Sequence, residues 1–173
     1  MDTIDDLLPG PADPPLSVLF CGINPGLLTV VNGLHFGRPG NRFWPVLYGA
    51  GFTPRLLAAA EQRELAALGY GITALVARAS ARAQDLAPAE LTGAVPGFTR
   101  RVSELRPRWV GFLGITAYRT AFRRPAAKIG RQDELLADAG LWVLPNPSGL
   151  NRSWQLPALT EEFGRLYQAA QNG

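Results

Sequence analysis

The chain is expected to fold as a single three-layer α/β domain in which a mainly parallel central sheet is flanked by helices. Two observations carry this expectation. Short apolar runs at 16–20, 72–76, 109–113 and 141–144 alternate with segments of helical spacing, the pattern that builds a parallel sheet covered on both faces. A length of 173 residues suits one core and is short for two.

Residues 1–15 hold Pro9, Pro11, Pro14 and Pro15 among small and acidic residues and read as a loose tail ahead of a domain at 16–173. Leu16 to Phe20 is the first buried strand. It ends abruptly in Cys21-Gly22-Ile23-Asn24-Pro25-Gly26, which delivers a polar side chain to the carboxyl edge of the sheet, where open α/β folds place ligands. Asn24 is therefore the first candidate for chemistry, although these residues alone would serve equally as a sharp turn. From Leu27 to Gly40 no period is sustained, because Gly33, Gly37, Pro39 and Gly40 interrupt it; a long loop beside the strand end is expected.

Asn41 to Tyr48 follows as a helix with Asn41 as a plausible N-cap and Gly49 or Gly51 as its stop. Glu61 to Leu68 is a short helix, and Ile72 to Val76 a second strand. Ala79 to Pro88 is polar and irregular, which puts Asp85 on a loop after a strand. Ala89 to Leu105 has the core-facing spacing Phe98, Val102, Leu105, with a break expected at Pro96-Gly97. Trp109 to Leu113 is a third strand, passed by Gly114 to a helix over 116–122. Leu135-Leu136 and Leu141 to Leu144 flank Asp138-Ala139-Gly140 as a hairpin. The loop Pro145 to Asn151 leads to a closing amphipathic helix over 156–170, with Leu159, Phe163, Leu166 and Tyr167 on one face.

Composition narrows the chemistry. One cysteine, Cys21, excludes an intramolecular disulfide and the multi-thiolate sets of zinc ribbons and iron–sulfur clusters. With His35 as the sole histidine, a dedicated transition-metal site is not expected. Sixteen of the seventeen basic residues are Arg, so Lys128 is the one side-chain amine for Schiff-base chemistry. No apolar stretch reaches the roughly 20 residues of a membrane span. Met1 to Asp6 lacks the basic start of a signal peptide, and the cytoplasm is expected. The net charge of +3 hides an asymmetry: Asp2, Asp5, Asp6 and Asp13 precede any basic residue, and setting those four of the 14 acids aside leaves 17 basic against 10 acidic groups, or +7. Such a body favours a polyanionic partner, or is an arginine-rich solvated surface. The densest run, Arg119, Arg123, Arg124, Lys128 and Arg131, fits either account.

If the sheet is parallel, the loops 22–40, 79–88 and 145–152 leave it at one edge and bring Asn24, Asp85 and Asn146 to a common cleft. Three segments there, Gly22-Ile23-Asn24-Pro25-Gly26, Gly40-Asn41-Arg42-Phe43-Trp44 and Asn146-Pro147-Ser148-Gly149-Leu150-Asn151-Arg152, resemble the mismatch-specific uracil-DNA glycosylases, the bacterial Mug and thymine-DNA glycosylase family of the uracil-DNA glycosylase superfamily. The resemblance runs from about Leu16 to the last helix, with the motifs in family order.

It implies a uracil-DNA glycosylase-like fold and a base-excision repair hydrolase that cleaves the N-glycosidic bond of uracil, or a related damaged pyrimidine, in double-stranded DNA, mainly opposite guanine. The nucleotide must be turned out of the duplex and its place filled. By this resemblance Asn24 holds the attacking water, and Gly22, Ile23, Thr29, Phe36 and Asn146 surround the base. Phe36 stacks on it, and Thr29 stands near the pyrimidine 5-position. Ser148, Gly149, Leu150, Asn151 and Arg152 form the strand-contacting loop, with Leu150 as the wedge and Arg152 beside it. Asp85 matches a loop that carries an acidic residue in some members; it either assists the water or is a turn residue. His35 is expected to face solvent with no catalytic role. No cofactor and no metal are implied, the single lysine argues for a monofunctional enzyme, and a monomer is expected. The alternative is a slow or non-catalytic module that binds mismatched or abasic DNA.

Overall fold

Four strands whose sequences are almost wholly apolar can be buried only if helices cover both faces of their sheet. The computed structural model describes residues 3–172, so Met1, Asp2 and Gly173, including the acidic charge placed on Asp2, lie outside the described residues. β1 (Val18–Gly22), β2 (Tyr70–Ala74), β3 (Trp109–Leu113), β4 (Gly130–Leu136) and β5 (Ala139–Leu144) form one sheet in the order β2-β1-β3-β5-β4. β1 pairs in parallel with β2 and β3, and β3 in parallel with β5; β4 turns back antiparallel on β5 as the expected hairpin. The helices are α1 (Leu27–Asn32), α2 (Phe43–Ala50), α3 (Arg63–Ala67), α4 (Pro88–Leu105), α5 (Ile115–Ala121) and α6 (Leu156–Asn172).

Alternation along β1 divides the core into two layers. Val18 and Phe20 pack with Phe43 and Leu47 of α2 and Phe163 and Leu166 of α6, while Leu19 and Cys21 pack with Phe98 and Val102 of α4 and Tyr118 of α5. Close approach of α6 is permitted by Gly111 in β3: a Cβ there would stand 3.1 Å from Leu144 Cδ1 and 3.2 Å from Leu166 Cδ2. The expected three-layer α/β architecture is thus observed, as one domain.

Three expectations are corrected. The segment read as a loose tail is packed: Leu7 is buried and exchanges two backbone hydrogen bonds with Ile72, at 2.9 and 2.8 Å, on the outer edge of β2. Proline and acidic content described its composition but not the open strand edge it covers. The long loop after β1 contains α1, a helix with no buried residue, ended by Gly33 in the left-handed region (φ 68°). Without a buried face it has no apolar period to read. Helix α4 runs unbroken through Pro96. An interior proline costs about 3 kcal/mol, and burial of Leu91, Phe98 and Val102 against the sheet holds the helix together in spite of it.

Candidate active site

The parallel strands end at one edge, and the segments that leave it are tied together by backbone hydrogen bonds. Beyond the strands, Gly22 C=O accepts from Leu75 N–H, Ile23 C=O from Val76 N–H and Pro25 C=O from Ser80 N–H. The 22–26 turn is therefore held along its length against residues 75–80.

That zipper orients Asn24. Its Nδ2 donates to the Arg78 carbonyl at 2.8 Å and to Ser80 Oγ at 2.9 Å, and Ser80 Oγ in turn donates to the Arg82 carbonyl at 2.6 Å. A carbonyl can only accept, so the amide nitrogen must face Arg78, and Oδ1 is left as the acceptor on the other side. Ser80 is nearly buried and was not singled out from the sequence, since a lone serine on an irregular loop carries no signal.

Phe36 stacks on Phe43 of α2, with centroids 4.0 Å apart and planes at 24°, and its ring edge comes to within 3.7 Å of the position a Cβ on Gly22 would take. Its backbone is left-handed, φ 54°, a strained state for a bulky residue that persists only if the surroundings enforce it. His35 supplies the enforcement. Its N–H donates to Gln62 Oε1 at 2.9 Å, its C=O accepts from Trp44 Nε1 at 3.0 Å, and its ring Nε2 lies 2.9 Å from the Asp5 carbonyl. The expectation of a solvent-facing His35 is therefore corrected: it is 8% exposed, with the Asp5 backbone against its ring.

Burial holds the imidazole of His35 below its ordinary value of 6.5, against the opposing pull of the Asp5 carbonyl and the Asp6 charge. The neutral ring is the folded form, with its proton on Nε2 facing Asp5. Above pH 6.5 neither state binds this proton. As pH falls from 6.5 toward the depressed folded value, the unfolded chain takes it up first and stability is lost. The wild type is expected to lose melting temperature between pH 7.5 and 5.5, and His35→Gln, which retains a donor to Asp5, to lose less over that range. Equal losses would exclude His35 as the source.

The third segment, 145–154, is shaped by Arg42, whose guanidinium donates to the carbonyls of Pro147 (3.3 Å), Trp154 (2.6 Å), Ser148 (2.7 Å) and Asn151 (3.0 Å). Within the loop, Asn146 Oδ1 accepts from Ser148 N–H at 3.0 Å and Asn151 Nδ2 donates to the Asn146 carbonyl at 2.9 Å. The amide oxygen of Asn146 is thereby committed, and its Nδ2 is the group available to a ligand. Leu150 stands at the tip, 64% exposed. Gly149 packs on the preceding segment so closely that a Cβ would lie 2.6 Å from the Gly40 carbonyl oxygen.

These segments enclose a cavity of about 220 Å³ whose walls include Gly22, Ile23, Asn24, Thr29, Phe36 and Asn146. Ser148 joins it to a wider groove of about 620 Å³ that reaches Leu150 and Asn151. Arg152 lines neither. Asp85 is not brought to Asn24 either. Its carboxylate accepts from the Arg82 backbone N–H at 3.0 Å and pairs with the Arg82 guanidinium at 3.2 Å, closing its own 3-10 turn (Ala83–Asp85) outside both hollows. The placement of Asp85 beside the reacting centre is thus corrected in favour of a turn residue.

Cys21, one residue before the site, is fully buried, and burial pushes its thiol far above the ordinary range, so it is no nucleophile. The basic run has structural partners at three positions: Arg119 Nε donates to the Ala127 carbonyl at 2.8 Å, Arg124 pairs with Glu134, and Arg131 lies over the Trp109 ring at 5.1 Å. Chemically, the cavity offers an aromatic face, an amide oxygen fixed as acceptor, an amide nitrogen available as donor, and an open way to an exposed apolar tip. A family model described as the uracil DNA glycosylase superfamily matches residues 9–171, which takes in all five strands and every segment of this cavity except the stretch before residue 9.

Proposed function

Because the chain belongs to the uracil DNA glycosylase superfamily, whose members support a uracil-excising reading, we propose that it is a monofunctional, mismatch-directed glycosylase acting on uracil opposite guanine in double-stranded DNA. The observation that carries this reading is the fixed orientation of Asn24, with Nδ2 bound to Arg78 and Ser80 and Oδ1 left to the cavity that Phe36 and Asn146 share.

In the proposed mechanism the duplex docks along the groove, Leu150 enters the stack, and the target nucleotide turns into the cavity. Its pyrimidine continues the Phe43–Phe36 stack, and Asn146 Nδ2 donates to a base carbonyl. Asn24 Oδ1 accepts a hydrogen bond from a water and aims it at the anomeric carbon. An amide is a very poor base and cannot take the proton. Rate enhancement comes instead from position and from N–H groups near Ile23 and Phe36 that stabilise the departing pyrimidine anion. The glycosidic bond breaks with its electron pair on the base nitrogen, and water supplies hydroxyl to the sugar and a proton to the base. Thr29 meets the 5-position, so thymine is the poorer substrate.

The test is release of free base at enzyme excess from U·G, U·A and T·G duplexes and from single-stranded uracil DNA. Uracil release is expected, fastest from U·G and slowest from T·G. Tight binding of the U·G duplex without release would replace this reading with that of a mismatch-binding module.

A further inference from the structure

Resting on that reading, the geometry points to Asp6 and Arg101 as the pair that reads the hydrogen-bonding edge of the flipped base. Both line the 220 Å³ cavity with Asn24 and Phe36, and their side chains keep 22% and 34% of their exposure. Asp6 is the one carboxylate among the described lining residues.

The two side chains are held in a defined arrangement. Asp6 Oδ1 accepts from Thr73 Oγ1 at 2.8 Å, and Oδ2 lies 3.3 Å from Arg101 Nη1. The same Nη1 donates to Thr73 Oγ1 at 2.7 Å, and Nη2 to the Ala74 carbonyl at 3.3 Å. Each carboxylate oxygen therefore keeps acceptor capacity, and the guanidinium, with five N–H groups, keeps donors. A uracil ring presents an imide N–H between two carbonyl oxygens, which an acceptor beside a donor matches.

No other residue in that part of the wall does so. Ala74 ends β2 without a polar side chain, the Thr73 hydroxyl is already engaged on both sides, and Asn24 is turned by Arg78 and Ser80 toward the water position. Charge matters as well. A lone carboxylate would oppose the negative charge that grows on a departing pyrimidine, whereas the Asp6–Arg101 pair is neutral as a unit and can hold the imide N–H without that penalty. Asp6 is brought here by the Leu7–Ile72 pairing on the edge of β2, and it lies before residue 9, where the family match begins. The carboxylate of this wall thus comes from a segment outside the family match, while Arg101 and Thr73 lie within it.

The experiment compares single-turnover excision of uracil and of N3-methyluracil from the same U·G-type duplex by the wild type, Asp6→Ala and Asp6→Val, neither of which keeps a side-chain acceptor, with affinity for an abasic duplex as a control that contains no base to read. A site built to pair with an N–H rejects the analogue lacking it strongly. The wild type is expected to favour uracil by about tenfold or more, and both variants to bring the ratio close to one through loss on uracil, with abasic-duplex affinity held within a few-fold. An unchanged ratio, or an equal fall on both substrates together with weaker abasic binding, overturns the proposal and leaves Asp6 as a structural strap. If the wild type releases uracil while the ratio survives in the variants, only this inference fails. If the wild type releases no base at all, the glycosylase reading fails and this inference with it.

Discussion

Asn24→Ala is expected to lower single-turnover uracil excision by about 10²- to 10³-fold, the scale of losing one positioned polar group at a reacting centre, with duplex affinity changed no more than a few-fold. The separation follows from what the side chain touches. Asn24 contacts Arg78 and Ser80 through Nδ2 and leaves Oδ1 as an acceptor at the cavity, so its removal takes away neither the groove nor the Leu150 loop. Backbone hydrogen bonds from Leu75, Val76 and Ser80 keep the 22–26 turn in place without it. The protein's preference for an amide is also explained. An aspartate would set a carboxylate oxygen against the Arg78 carbonyl, which lies 2.8 Å from the amide nitrogen, and two acceptors at that distance repel. Rate and abasic-duplex affinity measured on the same preparation check the prediction; near-normal excision would remove Asn24 from the mechanism.

Arg42→Ala is expected to reduce stability on the order of 3 kcal/mol and to impair excision from duplex DNA more than tenfold. The guanidinium donates to four carbonyls, those of Pro147, Ser148, Asn151 and Trp154, and so gathers the loop onto the start of α2. Without it the Asn151 and Trp154 carbonyls lose their side-chain partner, while Pro147 keeps the Arg42 backbone N–H and Ser148 that of Asn151, so the loop carrying Leu150 is held to α2 by fewer bonds. Arg42→Lys should recover little, since a compact ammonium with three donors cannot span the four acceptors that the planar fork reaches. Denaturant unfolding followed at Trp154, alongside excision from duplex and single-stranded substrates, provides the check. A variant that unfolds like the wild type and excises normally from duplex would show that the loop keeps its form unaided.

Arg42 also marks a boundary of what a sequence displays. It stood within a recognisable segment, Gly40 to Trp44, yet nothing local distinguishes an arginine that binds four carbonyls 105 to 112 residues away from one in solvent. Asp85 shows the converse. Its place on a loop after a strand suited a catalytic acid, and only the 3-10 turn with Arg82 reveals that its carboxylate is spent locally. For α1 and for residues 3–8 the sequence offered no period at all. One lacks a buried face, and the other is ordered by pairing with β2.

What the amino-acid order determined by itself was the layer architecture and the identity of the candidate segments. Strands buried on both faces must be written in apolar residues, and turns at their ends in Gly, Asn and Pro, so β1, β3, the β4–β5 hairpin and the Asn24 and Asn146 loops were all visible locally. Tertiary structure alone decided how the Asn24 amide points, why Phe36 holds a left-handed backbone, and which charged pair lines the cavity beside them. Each of those depends on partners brought from distant parts of the chain, Arg78 and Ser80 for the first, Asp5 through His35 for the second, and Asp6 beside Arg101 for the third. A hydrogen bond is chosen by distance and direction in space, and neither quantity is written in the spacing of residues along a chain.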